Sequence, residues 1–325
     1  MRSNNITRVW GRFVVVMSAI SAFAATPTVS SVTAKQRYPW NGMVDITCNV
    51  SGIDGTTNHL EFAVVAVDSG VAHDVSQFWV VRNGTNSTDR AVHTNGTYHL
   101  VWDSKVDFDN QIYSNMVMRV NIVRERVQLW ANGPYWATTN IGAEEPWEYG
   151  YYFWWGDTTG RRSSANGRFG FDFSWNNSAI YTYQKGVSEL QSAGWVTSEG
   201  VLAPSHDAAH VHWGGGWRIP TEQELNDLNN KCDWMWKNRN GVNGYVVQGR
   251  GNYASASIFL PAAGYGEETW LYSIGSKGRY QSSVPVSGNF DLYQWGLEFD
   301  SGYHSTKSGG RYQGRPVRPV QGFTK

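Results

Sequence analysis

Three histidines and one aspartate near the middle of the chain form its densest group of side chains that can bind a metal ion. They are His206, Asp207, His210 and His212. In a helix, His206 and His210 would share a face, because residues four positions apart are neighbours on a helix surface. No glutamate follows His206 in the H-E-x-x-H order of zinc proteases. The spacing therefore excludes that class of enzyme, and we expect no metal ion here.

Two pairs of adjacent carboxylates are the next candidates for acid–base chemistry. They are Glu144 with Glu145 and Glu267 with Glu268. Neighbouring residues of a strand point to opposite faces of a sheet, so neither pair can serve one substrate by itself. Pro146 and Gly266 lie beside them, which favours solvated turns. The sequence also lacks a nucleophile elbow, a phosphate loop, a dinucleotide fingerprint and the short acidic signatures of calcium-dependent lectins. We expect no catalytic activity and no cofactor.

Aromatic and polar residues are concentrated between Ser283 and Val317. They are Asn289, Tyr293, Trp295, Asp300, Tyr303, His304, Arg311 and Tyr312. Tyrosine and tryptophan give contact area at low entropic cost, while charged and amide groups give directional hydrogen bonds. We expect all of these except Asn289 to contact a ligand, with Trp295 equally compatible with a place in the core. Alternation predicts a strand with Leu292, Leu297 and Phe299 inward and a bulge at Gly296.

Composition limits the partners of the protein. The 325 residues include 27 basic and 27 acidic side chains, so no basic field attracts nucleic acid. Cys48 and Cys232 are the chain's two cysteines, and the sequence leaves open whether they pair. Two cysteines cannot form a zinc site of their own. Hydrophobic cores must therefore hold the fold together.

The first 25 residues have the features of a secretory signal peptide. Arg2, Arg8 and Arg12 precede an apolar run over 13–23, and the A-x-A pattern at 22–24 follows. That run is too short to cross a membrane, and no later segment is long and apolar enough. We expect an extracytoplasmic protein, secreted or associated with the cell surface, with no membrane span after cleavage.

The rest of the chain divides into two parts with different residue patterns. Residues 26–125 contain five runs of alternating apolar and polar residues, separated by turn signals such as Asn83 with Gly84. This pattern predicts an all-β, Ig-like sandwich. Beyond residue 127 the chain holds 13 of the 17 tryptophans. There a capping box from Thr221 to Glu224 predicts a helix, and a second helix is expected over 187–191. The second half is therefore predicted to be α+β.

Several short blocks in the second half recur in a known bacterial family. They are LWANG (129–133), WATTNIGA (136–143), YGYYFWWG (149–156), DAA (207–209), WGGGWRIPT (213–221), FLPAAGY (259–265), YQSS (280–283) and VRPV (317–320). Over residues 127–321 the chain resembles the Fibrobacter succinogenes major paralogous domain. Gln281 departs from the tryptophan usual in that family. The motif includes Asp207, which favours a role for it as a loop or helix-cap acceptor and makes His210 and His212 incidental.

The resemblance implies a C-type-lectin-like fold, shared with formylglycine-generating enzymes and with retroelement-diversified receptors. Residues 32–42 likewise resemble the start of Ig-like modules of secreted bacterial proteins. The oxidase chemistry needs reactive thiolates that bind copper. The second half contains only Cys232, on the apolar side of the expected helix. The catalytic cysteines are thus absent, and oxidase activity is disfavoured.

The expected protein is an N-terminal all-β Ig-like sandwich followed by an α+β C-type-lectin-like domain. It would bind a glycan or a surface protein through its C-terminal loops. One alternative is a retroelement-diversified variable receptor, which a neighbouring reverse-transcriptase gene with a near-copy of the coding segment would support. The other is the disfavoured formylglycine-generating-like oxidase, for which copper uptake would be the test.

Overall fold

The computed structural model describes residues 27–39, 41–53, 60–108, 116–175, 185–288 and 292–322. The described residues are mostly β-sheet, with 50% of them in strands and 12% in helices, and the sheets are open and antiparallel. None of the described helices is long and apolar enough to cross a membrane. The signal peptide expected over residues 1–25 and the candidate Asn289 lie outside the described residues.

The chain divides into two compact units. One comprises Met1–Thr57, Val64–Thr88 and His93–Asn121, and the other Asn58–Ala63, Asp89–Val92 and Ile122–Lys325.

The first eight strands form two antiparallel sheets, ordered β1-β2-β7-β5-β6 and β4-β3-β8. Their bounds are β1 Thr28–Gln36, β2 Met43–Ser51, β3 Leu60–Asp68, β4 Val71–Asp74, β5 Phe78–Arg82, β6 Thr85–Ser87, β7 Gly96–Asp103 and β8 Met116–Arg124, with helix α1 at Ser104–Asp107. The five alternating runs of the sequence become β2, β3, β5, β7 and β8, as predicted. In β2, Ile46, Cys48 and Val50 are buried while the residues between them face solvent.

The turn between β5 and β6 shows why the sequence places Asn83 beside Gly84. Both residues have positive φ, 52° and 77°, and Arg82 pairs with Thr85 across the turn. Tight two-residue hairpins need this left-handed backbone at both central positions, which asparagine and glycine tolerate best. Local residue chemistry therefore fixes this hairpin.

The second unit contains short sheets and helices. The strands are β9 Arg126–Gln128, β10 Tyr135–Ala137, β11 Arg168–Phe173, β12 Trp217–Arg218, β13 Asp233–Arg239, β14 Val242–Gln248, β15 Ser257–Pro261, β16 Tyr265–Tyr272, β17 Lys277–Pro285, β18 Tyr293–Asp300, β19 Tyr303–Gly310 and β20 Val320–Gln321. The helices are α2 Val187–Ser192, α3 Ala208–Trp213 and α4 Glu222–Lys231, with 3-10 turns at Pro204–His206 and Gly251–Tyr253. The sheets are β12-β20-β10-β9, β11-β16, β13-β14-β15 and β17-β18-β19.

Both helices expected in this half are present. Helix α4 begins with the predicted capping box, in which Thr221 accepts from the Glu224 amide and Glu224 accepts from the Thr221 amide. The buried Glu224 carboxylate also accepts hydrogen bonds from Nη2 and Nη1 of Arg218, at 2.5 and 2.7 Å. Leu225 and Leu228 enter the core. The cap and the apolar face thus both come from local sequence.

Arg318, the arginine of the VRPV block near the end of the chain, has a structural role. Its guanidinium is buried and donates to Asn140 Oδ1 at 2.9 Å and to the carbonyl oxygens of Ala137 (3.1 Å), Thr138 (2.9 Å) and Phe259 (2.9 Å). Burial lowers its pKa to about 10, so the group is still charged at neutral pH. One side chain thereby joins the end of β10 to β15.

Candidate functional site

Strands β11 and β16 form a two-stranded sheet with one buried and one exposed face. In β11, Phe169 and Phe173 are buried and pack in a cluster with Tyr152, Trp154 and Leu271 of β16. Their rings meet edge to face; the Phe169 and Phe173 centroids, for example, are 4.8 Å apart. Phe171 packs against the same cluster, and since side chains alternate along a strand, Asp172 faces the other side of the sheet.

A groove of about 690 Å³ opens beside this sheet. We call it the Trp175 groove; its lining is Asp172, Phe173, Ser174, Trp175, Glu267, Glu268, Thr269 and Tyr312. It is built from three segments that are distant in sequence: the end of β11, the middle of β16, and the loop after β19. The volume lies in the range of small-molecule and carbohydrate sites.

Trp175 is 53% exposed at the groove. On the neighbouring part of β16, Trp270 and Tyr272 are also exposed, by 38% and 41%. Large aromatic side chains are usually withdrawn from water, so three exposed ones near one small sheet make this surface a candidate for binding.

Carboxylates supply the polar part of the groove. Asp172 accepts a hydrogen bond from Ser174 Oγ at 3.0 Å, and Glu267 accepts one from Gln313 Nε2 at 2.9 Å. Glu268 is exposed and has a positive φ of 51°. The pairing register of β11 with β16 shifts between Arg168 and Phe173. These irregularities place acceptor oxygens beside the exposed indole.

The carboxylate pair Glu267 and Glu268 lies within β16, not in the solvated turn that the sequence suggested. Gly266 is held on both sides, since its amide donates to Gly314 O and its carbonyl accepts from the Gly314 amide, at 2.7 and 2.8 Å. Phe173 also lies where a Cβ on Gly266 would sit. The glycine therefore marks a close approach of chains, and the turn prediction was wrong. Glu144 and Glu145 do lie in a bend, as expected.

A polar network connects the groove to the sheet β17-β18-β19. Gln313 accepts from Arg279 (3.3 Å) and Arg315 (2.8 Å) while donating to Glu267. Arg279 then forms an ion pair with Glu298 at 3.1 Å. Burial alone would raise the pKa of Glu298, but the Tyr303 hydrogen bond at 2.7 Å and nearby cations outweigh it and lower that pKa. Through the hydrogen bond from Gln313, the network holds the Glu267 carboxylate in place.

The seven predicted ligand-binding residues are divided among four environments. Tyr312 lines the Trp175 groove. Asp300 and Tyr303 pair with each other across β18 and β19 on the polar face of that sheet, where burial and then Glu298 raise the pKa of Tyr303. Tyr293, Trp295 and His304 lie on the opposite face, and Arg311 is buried. The structure does not bring the seven together as one site.

The opposite face packs against the core at Leu297 and Phe299, whereas Tyr293 and Trp295 on the same face are only partly buried. His304 is directly across from buried Phe299 and stacks on Trp234, with ring centroids 4.2 Å apart. Its Nδ1 lies 2.9 Å from Asn229 Oδ1, and burial lowers its pKa. Trp295 and Tyr293 share this face because β18 pairs with β19 without interruption. His304 thus packs mainly within the protein.

The bulge predicted at Gly296 is also wrong. Gly296 pairs regularly with Gln281 and with Lys307, and the irregularity lies in β17 between Gln281 and Pro285. Gly296 is needed for a different reason: a Cβ there would lie 2.4 Å from Tyr280 O and 2.8 Å from Arg315 Nη1. Leu297 and Phe299 are buried as expected, whereas Leu292 precedes the strand.

Arg311 cannot contact a ligand directly, which corrects that prediction. Its side chain is 0% exposed. The guanidinium donates to Tyr293 O at 2.9 Å and to Lys185 O at 2.8 Å, and it lies 4.9 Å from the Trp155 ring centroid. Arg311 ties β18 to the segment before α2. Gln281 is likewise structural, because it is buried and donates to Phe153 O at 2.6 Å.

Asp207 is a helix cap, as predicted. Its carboxylate accepts from the amides of Ala209 (2.8 Å), His210 (3.0 Å) and Ile219 (2.8 Å). Burial raises its pKa despite these three bonds. His212 Nε2 instead lies 2.9 Å from Thr158 O. Within the described part of the chain, no group of three or more His, Cys, Asp or Glu side chains could hold a metal ion.

A second groove, of about 500 Å³, runs past Asp207 and Arg218. Two of its charged groups serve the fold, because Asp207 caps α3 and Arg218 binds Glu224, while Glu199 also lines it and is exposed. Leu202, Trp217 and Ile219, which also line it, belong to the buried core. The tryptophan in its lining, Trp217, is buried, whereas Trp175 is 53% exposed at the Trp175 groove.

Both cysteines are buried free thiols. Burial raises the pKa of Cys48 to about 11 and that of Cys232 to about 12. The thiolate is the form that binds metal and reacts with oxidants. Neither cysteine is therefore set up for oxidase chemistry.

Trp175, Trp270 and Tyr272 were not among the site residues predicted from the sequence. The run RFGFDFSW at 168–175 alternates aromatic and polar residues, which does signal β11 and its buried aromatic face. Nothing local shows that Trp175, next in that series, leaves the core.

Comparisons with family models, curated proteins and solved structures find no match, so the family resemblance stays a prediction based on its motifs.

Proposed function

We propose that this chain is a non-catalytic, secreted or cell-surface protein that binds glycans at the Trp175 groove. The observation that carries the proposal is the exposed indole of Trp175 beside the carboxylates of Asp172, Glu267 and Glu268.

The chemistry of the groove suits a sugar ring. One face of a pyranose presents C–H groups, which stack on an aromatic face, while its hydroxyls donate hydrogen bonds around the edge. Carboxylates are strong acceptors for such hydroxyls. Tyr312 adds a second aromatic side chain at the same groove. A single sugar can thus meet both an apolar surface and directional acceptors.

Charge selects among glycans. The three carboxylates repel uronate- and sulfate-bearing chains, since like charges brought together in a partly desolvated site disfavour binding. We therefore expect uncharged oligosaccharides to bind, and polyuronates to bind much more weakly.

The finer fold is part of the same proposal: an Ig-like sandwich followed by a C-type-lectin-like domain. Alternating burial in β2 and β3 supports the first. For the second, support comes from the sequence motifs and from the pairing of β10 with β20, which joins the beginning and the end of the second unit.

A glycan array followed by isothermal titration calorimetry tests the function. Truncating a central aromatic anchor costs about 2 kcal/mol or more, so Trp175→Ala should weaken binding by about 30-fold. Trp175→Phe should retain much of the affinity because a stacking ring remains. The matched control is Tyr38→Ala, which removes an exposed aromatic of the first unit and should have no effect.

Two results would contradict the proposal. Unchanged affinity in Trp175→Ala would remove the groove as the site. Release of reducing sugars from the bound oligosaccharide would show catalysis rather than binding alone.

A further inference from the structure

The exposed face of β16 continues beyond the Trp175 groove. Thr269 is the last residue of β16 that lines the groove, and Trp270 and Tyr272 follow it on the strand. Leu271, between them, belongs to the buried aromatic cluster. Because successive residues of a strand face opposite sides, Trp270 and Tyr272 point to the same solvent-facing side, about 7 Å apart along the strand.

Each of these two rings is held from one side by the protein. The guanidinium of Arg168 lies 3.7 Å from the Trp270 ring centroid. Tyr265 stacks on Tyr272, with centroids 5.8 Å apart and planes inclined by 26°. Held rings lose little freedom when a ligand binds, so their contact area contributes to affinity at small entropic cost.

We propose that Trp270 and Tyr272 form additional sugar subsites, so that one glycan chain binds along β16 from the Trp175 groove outward. This inference rests on the proposed function. The occupant follows from continuity: Glu268 lines the groove, and Glu268, Trp270 and Tyr272 are the exposed residues at every second position of β16, so a chain seated in the groove passes over these rings as it extends.

The subsites predict an affinity that depends on chain length. A disaccharide fills the groove alone, whereas a hexasaccharide also covers Trp270 and Tyr272. The double variant Trp270→Ala with Tyr272→Ala should therefore bind hexasaccharides about tenfold more weakly, which corresponds to about 1.4 kcal/mol. Its affinity for disaccharides should stay at the wild-type value.

The experiment titrates the full mature chain with cello-, xylo-, manno- and galacto-oligosaccharides of increasing length. Ile274→Ala is the matched control, because it removes an exposed aliphatic side chain just after β16 and should leave the length dependence unchanged. Circular dichroism confirms that each variant is folded. A variant retaining rings, Trp270→Phe with Tyr272→Phe, should restore most of the lost affinity.

The outcomes separate the two proposals. If Trp175→Ala abolishes binding while the double alanine variant leaves the length dependence intact, the subsites are refuted and the groove stands. If none of the four series binds the wild-type chain, the proposed function and the subsites both fail.

Discussion

Replacing Arg318 with methionine tests whether one buried cation organises the second unit. The change keeps a long side chain of similar volume and removes every donor. Four acceptors then lose their partner: Asn140 Oδ1 and the carbonyl oxygens of Ala137, Thr138 and Phe259.

The expected loss follows from these four contacts. Each buried acceptor left without a donor costs about 1–3 kcal/mol, which would sum to more than most single substitutions remove. Part is recovered, because methionine carries no charge that must be desolvated. We expect Arg318→Met to lower the free energy of unfolding by about 3 kcal/mol. For a unit of this size, the melting temperature should fall by roughly 6–12 °C.

Urea unfolding followed by tryptophan fluorescence measures this effect, since 13 of the 17 tryptophans lie beyond residue 127. Arg239→Met is the control: Arg239 is exposed, and its replacement should change stability by less than about 0.5 kcal/mol. Arg318→Lys should fall between the two, because an ammonium cannot reproduce the planar fork of donors. Equal stability of Arg318→Met and wild type would refute the reasoning.

Two further predictions concern titrating side chains. Burial, and then the neighbouring Glu125, raise the pKa of Glu61 from 4.5 to about 7. The contribution of the protonated carboxyl to the free energy of unfolding, up to about 3 kcal/mol, is therefore fully present below about pH 4.5. It is lost as the pH rises through 7. Unfolding measured from pH 4 to 9 should show Glu61→Gln to be more stable than wild type above pH 7, unlike the exposed control Glu189→Gln, and identical pH profiles would contradict this. Cys48 and Cys232 should react with a thiol reagent slowly in the native protein and rapidly in urea, where two thiols per chain are expected; fast native reaction, or no thiol after unfolding, would contradict the burial of two free cysteines.

The features that local sequence predicts well are those with local causes. The alternation of Ile46, Cys48 and Val50 gives β2, and the Asn83–Gly84 pair gives its hairpin, because the period and the backbone preference act within a few residues. Thr221 and Glu224 bond to each other's amides, so the start of α4 can be read directly. Asp207 as a cap belongs to the same class.

The candidate site could not be predicted in this way, because its geometry depends on distant contacts. Arg311 is of a residue type that often contacts ligands, yet its guanidinium is buried and donates to the carbonyl oxygens of Lys185 and Tyr293. The side chain of Trp175 looks, by alternation, like a continuation of the buried aromatic face of β11. Its exposure is set where β11, β16 and the Tyr312 loop meet, and no short window of sequence contains that information.

The most direct test of glycan binding at the Trp175 groove is a ¹⁹F NMR titration of the chain labelled with 5-fluorotryptophan. The Trp175 resonance is assigned by its disappearance in Trp175→Phe, and that of Trp155, which is fully buried, by the corresponding substitution. On addition of a binding oligosaccharide, the Trp175 signal should shift in a saturable way while the Trp155 signal stays in place. Saturable binding with an unmoved Trp175 signal would contradict the account.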